Sequence, residues 1–280
     1  MTTLQAWLSA FRLRTLPLAL SCIFMGSFLA AAHTPLNNFT NSIFILCVLT
    51  TILLQIVSNL ANDYGDSIHG ADSKDRKGPQ RAVQAGLISA QTMKKAILLF
   101  AFLAFVSGVS LLWVAIGSNL TLFFACLGIG VLAILAAITY TAGPKPYGYS
   151  GLGDISVLLF FGWVGVLGSY FLYAKMMPWE IFLPATSCGV FSVAVLNINN
   201  IRDIESDFNA GKYSIPVRLG RKNAVIYHIL LLTIGVLTAC SYTVICWKHP
   251  IQVLFLLAVP LLIRNGMAVY KNTTPQSLDP

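Results

Sequence analysis

Seven of the chain's ten carboxylates fall in two short stretches, 59–75 and 199–207, of a sequence that is otherwise almost wholly apolar. Each stretch opens on an asparagine and continues with aspartates at helical steps: Asn59, Asp63 and Asp66 in the first, Asn199, Asp203 and Asp207 in the second. Steps of three and four residues bring side chains to one helix face, so each stretch can offer two carboxylates and an amide oxygen to a hard cation. Mg2+ is such an ion, and two such faces would make a binuclear site. Ion pairing is the competing account, with Lys74, Arg76 or Arg81 for the first pair and Arg202 or Lys212 for the second. The accompanying asparagines, which no ion pair needs, favour metal. Asp72, Asp75 and Glu205 are read as cap or solvent groups.

Basic residues beside acidic clusters suit a diphosphate, because Mg2+ bridges carboxylates to phosphate oxygens while Lys and Arg take the remaining oxygens. Lys145, Lys212, Arg218 and Arg81 are the candidates, and anchoring at a membrane surface is the other reason to find them there. Tyr140 and Lys145 share a loop that continues through Pro146, Tyr147 and Tyr149 to Asp154. Tyrosine beside lysine suits a place where a cation forms next to a departing anion, since aromatic faces stabilise positive charge. An interfacial tyrosine belt is the alternative. Asp154 has no evident partner in sequence and is a candidate to bind or deprotonate a second substrate. The four histidines, His33, His69, His228 and His249, form no ligand pair, and no Ser/His/Asp order, P-loop or dinucleotide fingerprint is present.

The elements that must hold these residues are membrane helices. At 56% hydrophobic and 10% charged residues, the chain has too little polar surface to coat one soluble domain. Eight apolar stretches suited to about 30 Å of hydrocarbon lie near 16–32, 42–61, 96–114, 120–138, 152–174, 181–198, 223–245 and 250–264. With the N-terminus inside, sixteen of the eighteen basic residues fall on the inner side and only Lys175 and Lys248 on the outer. Both acidic stretches then begin at the inner ends of spans and run into cap loops 62–93 and 199–222. The first apolar stretch is longer than a signal-peptide core and is read as an uncleaved helix. Leu4 to Leu16, with Trp7 and Phe11, reads as an amphipathic segment in the interface.

The net charge of +8 is spread over separate loops, which argues for topology and anionic lipid and against nucleic acid. The six cysteines lack metal-type spacing and read as small buried hydrophobes, with no disulfide implied. Asp63 and Asp203 are 140 residues apart, half the chain. Around each the order span, Asn/Asp cluster, basic stretch, glycine, span recurs. This predicts one domain, 1–280, of two pseudo-repeat halves, about 1–140 and 141–280, with the site between them.

The constellation resembles the UbiA superfamily of intramembrane prenyltransferases. The matching elements are Asn59-x-x-x-Asp63-x-x-Asp66, the Tyr140 to Lys145 loop, Asn199-x-x-x-Asp203-x-x-x-Asp207 and the Lys212 to Gly220 segment, in that order. Arg12-Leu-Arg14-Thr-Leu-Pro, Asn62 to Asp72 and Gly78-Pro-Gln-Arg81 are similar to the MenA branch, the 1,4-dihydroxy-2-naphthoate polyprenyltransferases of menaquinone synthesis. The first acidic pair is spaced by three residues where many members have four, which leaves Ser67 at the other position.

The resemblance implies an all-α bundle of nine helices, the ninth of them missing after span eight, in the bacterial inner membrane with its site loops cytoplasmic. It implies Mg2+ as cofactor, with a polyprenyl diphosphate and the naphthoate as substrates. Asn59, Asp63, Asp66, Asn199, Asp203 and Asp207 would hold metal and diphosphate, Lys145, Lys212 and Arg218 the leaving group, and Tyr140 would face the allyl cation. The expected reaction joins the prenyl group to the ring with loss of CO2 and diphosphate. Asn62 belongs to the substrate site, and the acceptor's carboxylate needs a cation, for which Arg14 and Arg81 are candidates. Another aromatic acceptor such as 4-hydroxybenzoate is the runner-up. A divalent-cation transporter, using the acidic clusters as an ion path, is the alternative from a different class.

Overall fold

The computed structural model of the chain describes residues 2–34, 38–71, 80–272, 274 and 278. Long apolar runs satisfy their own backbone as helices once they leave water, and the described residues form helices with no strand. In order these are α1 (Thr3–Phe11), α2 (Leu16–His33), α3 (Asn38–His69), α4 (Ala90–Ile116) and α5 (Leu120–Thr139). Next, α6 (Gly153–Val157) runs through a π-helix, Leu158–Leu167, into α7 (Gly168–Ala174). Then come α8 (Phe182–Arg202), α9 (Ile204–Asn209), α10 (Ile215–Ile245) and, after a 3-10 stretch at Pro250–Ala258, α11 (Val259–Lys271). Eight helical segments are long and apolar enough to cross a membrane, the number hydropathy predicts. Exposed Leu98, Phe102, Leu132, Leu237 and Leu257 suit contact with lipid.

Three elements differ from the predicted spans in ways that position the site. α3 has 32 residues, about 48 Å at 1.5 Å per residue, well beyond a hydrocarbon core of about 30 Å. Asp63 and Asp66 therefore ride on a continuous helix rather than in a loop. The fifth span is π-helical over ten residues, and π segments favour functional sites because they re-aim side chains. Gly162 lets it lie against α8: a Cβ there would sit 2.8 Å from the Ala185 carbonyl oxygen and 2.9 Å from the Gly189 Cα. The seventh, α10, begins at Ile215 and bends at Gly220, whose φ of 71° is cheap for glycine.

Of the predicted first cap, Asp72, Asp75 and the basic run Lys74 to Lys77 lie outside the described residues. Its described part, from Gln80 onward, turns back to α4 with Ala82 and Ile88 buried. The N-terminal segment is helical as its pattern predicts. A capping box between Thr2 and Gln5 starts α1, and Ala6 and Ala10 are buried in a cluster with Val57, Leu60 and Ala61 of α3.

Candidate active site

Asn59, Asn62, Asp63 and Asp66 follow one face of α3, and partners from distant segments occupy that face. Asp63 is 1% exposed. Its two oxygens accept backbone N–H groups of the cap, Ala82 on Oδ2 and Val83 on Oδ1, each at 3.1 Å. Asp66 accepts the Tyr149 hydroxyl on Oδ1 at 3.0 Å and faces Arg81 Nη2 at 3.5 Å through Oδ2. Thr141 donates to the Ala61 carbonyl at 2.9 Å and to Asn62 Oδ1 at 3.0 Å. That close fit needs Gly65, where a Cβ would stand 2.3 Å from the Thr141 carbonyl oxygen.

The second stretch is interrupted where the spacing predicts one helix. α8 ends at Arg202, Asp203 takes φ −99° and ψ 14°, and α9 begins at Ile204. The buried Arg202 guanidinium grips Asp203 with both prongs, Nε to Oδ1 at 2.9 Å and Nη2 to Oδ2 at 2.8 Å. Lys212 Nζ lies 3.3 Å from Asp207 Oδ1 and 5.8 Å from the centre of the Tyr149 ring. Burial pushes the Asp207 carboxyl up to about 6; Lys212 opposes this, while Asp203 and Asp66 add to it. Burial also works to lower Lys212, but Asp207 and Asp66 outweigh it and hold the ammonium above its ordinary range. Lys212 and Tyr149 are thus where the two acidic stretches meet.

A cavity of about 770 Å3 opens beside this cluster. Its wall follows α3 from Cys47 to Asn62 and α5 from Leu122 to Ala137, about 22 Å of helix at 1.5 Å per residue. Leu54, Ile129, Phe160, Val164 and Leu172 line its length, and Arg12, Asn59, Asn62, Tyr140, Tyr147 and Asn199 its polar end. Tyr140 and Tyr147 pack edge to face with centroids 5.4 Å apart. Burial raises the Tyr140 phenol, so it stays neutral.

The expected metal site is binuclear, with two aspartates and an asparagine from each stretch. Among the described residues no group of three or more His, Cys, Asp or Glu stands close enough to hold an ion. The reason is local: Asp63 fastens the cap, Asp203 is taken by Arg202, and Asn59 is turned to the N-terminal segment. Asn59 donates through Nδ2 to the Phe11 carbonyl at 2.9 Å and to Thr15 Oγ1 at 3.0 Å. Asn199 is exposed on the cavity wall. The predicted alternative of ion pairing holds for three aspartates, with Arg81, Arg202 and Lys212 as partners.

Other expected residues lie apart from the cluster. Lys145 is exposed on its turn, and Arg14 is exposed on the 3-10 turn Leu13–Thr15. Arg218 braces the fold, donating to the Tyr213 carbonyl at 3.0 Å and to the Ser150 carbonyl at 2.9 Å. Asp154 does have a partner, the Tyr227 hydroxyl at 2.9 Å. Arg12 and Tyr149 are the residues whose roles the sequence pattern did not single out. The run Arg12-Leu-Arg14 marked the right turn but not which arginine faces inward, and Tyr149 was one of three tyrosines in its loop.

A bundle of membrane helices with a long apolar cavity, whose polar end carries Arg12, asparagines and tyrosines, suits an amphiphile with an anionic head. The chain belongs to the UbiA prenyltransferase family, whose model matches residues 19–279. It is 47% identical over 280 residues to the 1,4-dihydroxy-2-naphthoate octaprenyltransferase of Haemophilus influenzae, covering 99% of this chain and 89% of that protein. The enzyme of the same name from Escherichia coli is 45% identical over 276 residues, with 99% and 88% covered. Among solved structures, the apo UbiA homolog of Aeropyrum pernix superposes with a TM-score of 0.73 at 17% identity, covering 96% of this chain and 93% of that one. The UbiA homolog of Archaeoglobus fulgidus, bound to DMAPP and Mg2+, gives 0.64 at 16% identity, with 94% and 86% covered.

Proposed function

We propose that this prenyltransferase moves a polyprenyl group from its diphosphate to 1,4-dihydroxy-2-naphthoate, with loss of CO2 and diphosphate, giving demethylmenaquinol for menaquinone synthesis. The observation that carries this reading is a long apolar cavity with a polar end beside a buried cluster of carboxylates and Lys212. The tail fills the cavity, where polar groups are needed only at the polar end. Lys212 takes oxygens of the diphosphate and Tyr140 faces the allylic carbon as positive charge develops there. The apolar walls keep water from quenching that cation. Octaprenyl is the tail in the relatives' names.

Mg2+ suits this mouth. The donors are hard carboxylate oxygens, Asp207 Oδ2 is buried without a hydrogen-bond partner, and the charge of Asp66 reaches Asp207. Mg2+ commonly takes one or two carboxylates and completes its shell with phosphate oxygens and water. Asp66 and Asp207 would hold it first, with Asp63, Asp203 and Asn199 within the same end of the bundle. When bound, the ion offsets charge on the leaving diphosphate. The distribution of basic residues is our basis for reading this end as cytoplasmic, the bacterial relatives for a bacterial inner membrane, and the two acidic stretches for a duplicated half at about 1–140 and 141–280.

The test is direct. Purified protein in detergent, given octaprenyl diphosphate, Mg2+ and 1,4-dihydroxy-2-naphthoate, should yield demethylmenaquinol by mass, and chelation should stop it. Product with 4-hydroxybenzoate alone would move the acceptor assignment elsewhere in the family. Uptake of Mg2+ or Mn2+ into proteoliposomes without any prenyl substrate would favour transport instead.

A further inference from the structure

Ionising a prenyl diphosphate makes two charges, and Lys212 answers only the anionic one. The allylic cation is favoured by negative charge fixed nearby as well as by an aromatic face. Tyr140, on the cavity wall, is clamped for that place. A Cβ on Gly148 would stand 2.8 Å from Tyr140 Cε2, and one on Gly153 2.9 Å from the Tyr140 hydroxyl oxygen. The phenol therefore lies against the backbone at the start of α6.

The residue after Gly153 is Asp154. It is buried, at 7% exposed, and is not among the residues lining the cavity. It stands in the first turn of α6, where free backbone N–H groups favour negative charge. Among the described residues its hydrogen-bond partner is the Tyr227 hydroxyl of α10, and no cation pairs with it. The charges of Lys212, Asp66 and Asp154 all reach the Tyr140 phenol. Lys212 is paired with Asp207 and Asp66 with Arg81, so the charge of Asp154 is left uncompensated beside the ring. Burying an unpaired carboxylate costs free energy, which suits a place that meets a cation only during turnover.

We propose that Asp154 is the counter-charge for the allylic cation, acting through Tyr140. Tyr227 fixes the carboxylate behind the phenol, and its field favours positive charge on the cavity side of the ring. This rests on the reading that Tyr140 faces the allylic carbon. No bond to Asp154 forms or breaks, so it is a positioning residue, and its role is independent of which aromatic acceptor is used.

Equilibrium binding tests this without turnover. Full-length protein with Mg2+ and inorganic diphosphate is titrated by calorimetry with N,N-dimethylgeranylamine, an ammonium ion at neutral pH, and with the neutral alcohol geraniol. Wild type should favour the ammonium by roughly tenfold or more, the scale of one uncompensated charge at close range in a protein interior. Asp154→Asn keeps an acceptor for Tyr227 and drops only the charge. It should lose most of that preference with geraniol affinity unchanged, while Tyr227→Phe, which keeps the charge, should retain it.

In turnover, Asp154→Asn should lower kcat by roughly tenfold to a hundredfold and leave KM for the prenyl diphosphate unchanged. A wild type without the ammonium preference, or an intact preference in Asp154→Asn, overturns the proposal. Equal loss of both ligands in Asp154→Asn and Tyr227→Phe would reduce the pair to a tie between α6 and α10 and overturn it as well. An Asp154-dependent preference in a protein that makes no product from the naphthoate would count against the proposed acceptor and leave this role standing.

Discussion

The two acidic stretches read alike in sequence and are built differently. The first lies on an unbroken helix, and its partners arrive from far away: Ala82 and Val83 on Asp63, Tyr149 and Arg81 on Asp66. The second sits at a helix break, with partners close in sequence: Arg202 on Asp203 and Lys212 on Asp207. α3 therefore assembles the site by gathering cap and loop onto a rigid rod, whereas the α8–α9 junction carries a pre-paired charge set. A repeated motif need not mean a repeated role.

The largest effect expected from breaking this contrast is on stability, at the self-contained side. Arg202→Met removes the bidentate partner of the buried Asp203 carboxylate, and breaking such a pair costs about 3–5 kcal/mol, whereas removing both partners is often neutral. Thermal unfolding in detergent should show a large drop for Arg202→Met and recovery in Arg202→Met with Asp203→Leu. Equal stability of wild type and Arg202→Met would mean that Asp203 is not held as described.

Next in size comes catalysis where the two stretches meet. Asp207→Asn and Asp66→Asn should each lower kcat by roughly a hundredfold or more, the usual scale for one group aimed at transition-state charge. Both should raise the Mg2+ concentration needed for half-maximal rate, measured with octaprenyl diphosphate and the naphthoate. Parallel shifts would tie both stretches to one ion; a shift in only one would separate them.

Much of the bundle was legible because long apolar runs have few folding options in lipid, and eight spans could be placed before any contact was known. The positions of Asp63, Asp66, Asp203 and Asp207 at one end followed from the same reasoning. Helical spacing tells which residues share a face, but not what lands on that face. The Phe11 carbonyl that claims Asn59 comes from 48 residues upstream, and the cap amides on Asp63 come from 19 and 20 residues downstream. The break at Asp203 was hidden for a related reason. Arg202 is adjacent to Asp203, so one helix face cannot bring them together, and the bidentate pair forms at a bridge-region backbone. The sequence marks the run Arg12-Leu-Arg14 but not which arginine lines the cavity, because a left-handed residue other than glycine has no sequence mark.

The assembling role of the first stretch can be isolated at Asp63. Asp63→Asn replaces one acceptor oxygen with an amino group that faces a backbone N–H, costing about 1–3 kcal/mol locally. Amide exchange at Ala82 and Val83 should speed up by roughly tenfold to a hundredfold at that cost, while α4 and α8 keep their protection. Unchanged exchange at both amides would mean that the cap is held by Ala82 and Ile88 packing rather than by Asp63.

The smallest effect is expected at Tyr149, where both stretches touch one side chain. Tyr149→Phe removes the hydroxyl bond to Asp66 but keeps a ring near Lys212; Tyr149→Leu removes both. The Lys212 contact, at 5.8 Å near the outer limit for a cation–π pair, contributes about 0.5–1 kcal/mol and a hydrogen bond to a charged group about 1.5–3 kcal/mol. The phenylalanine change should therefore account for most of the total loss, a rise of roughly tenfold in KM for the prenyl diphosphate, with leucine adding a further few-fold. If leucine alone carried the loss, the ring rather than the hydroxyl would couple the stretches, and Asp66 would be oriented chiefly by Arg81. That outcome would keep the contrast between the two motifs while changing which atom joins them.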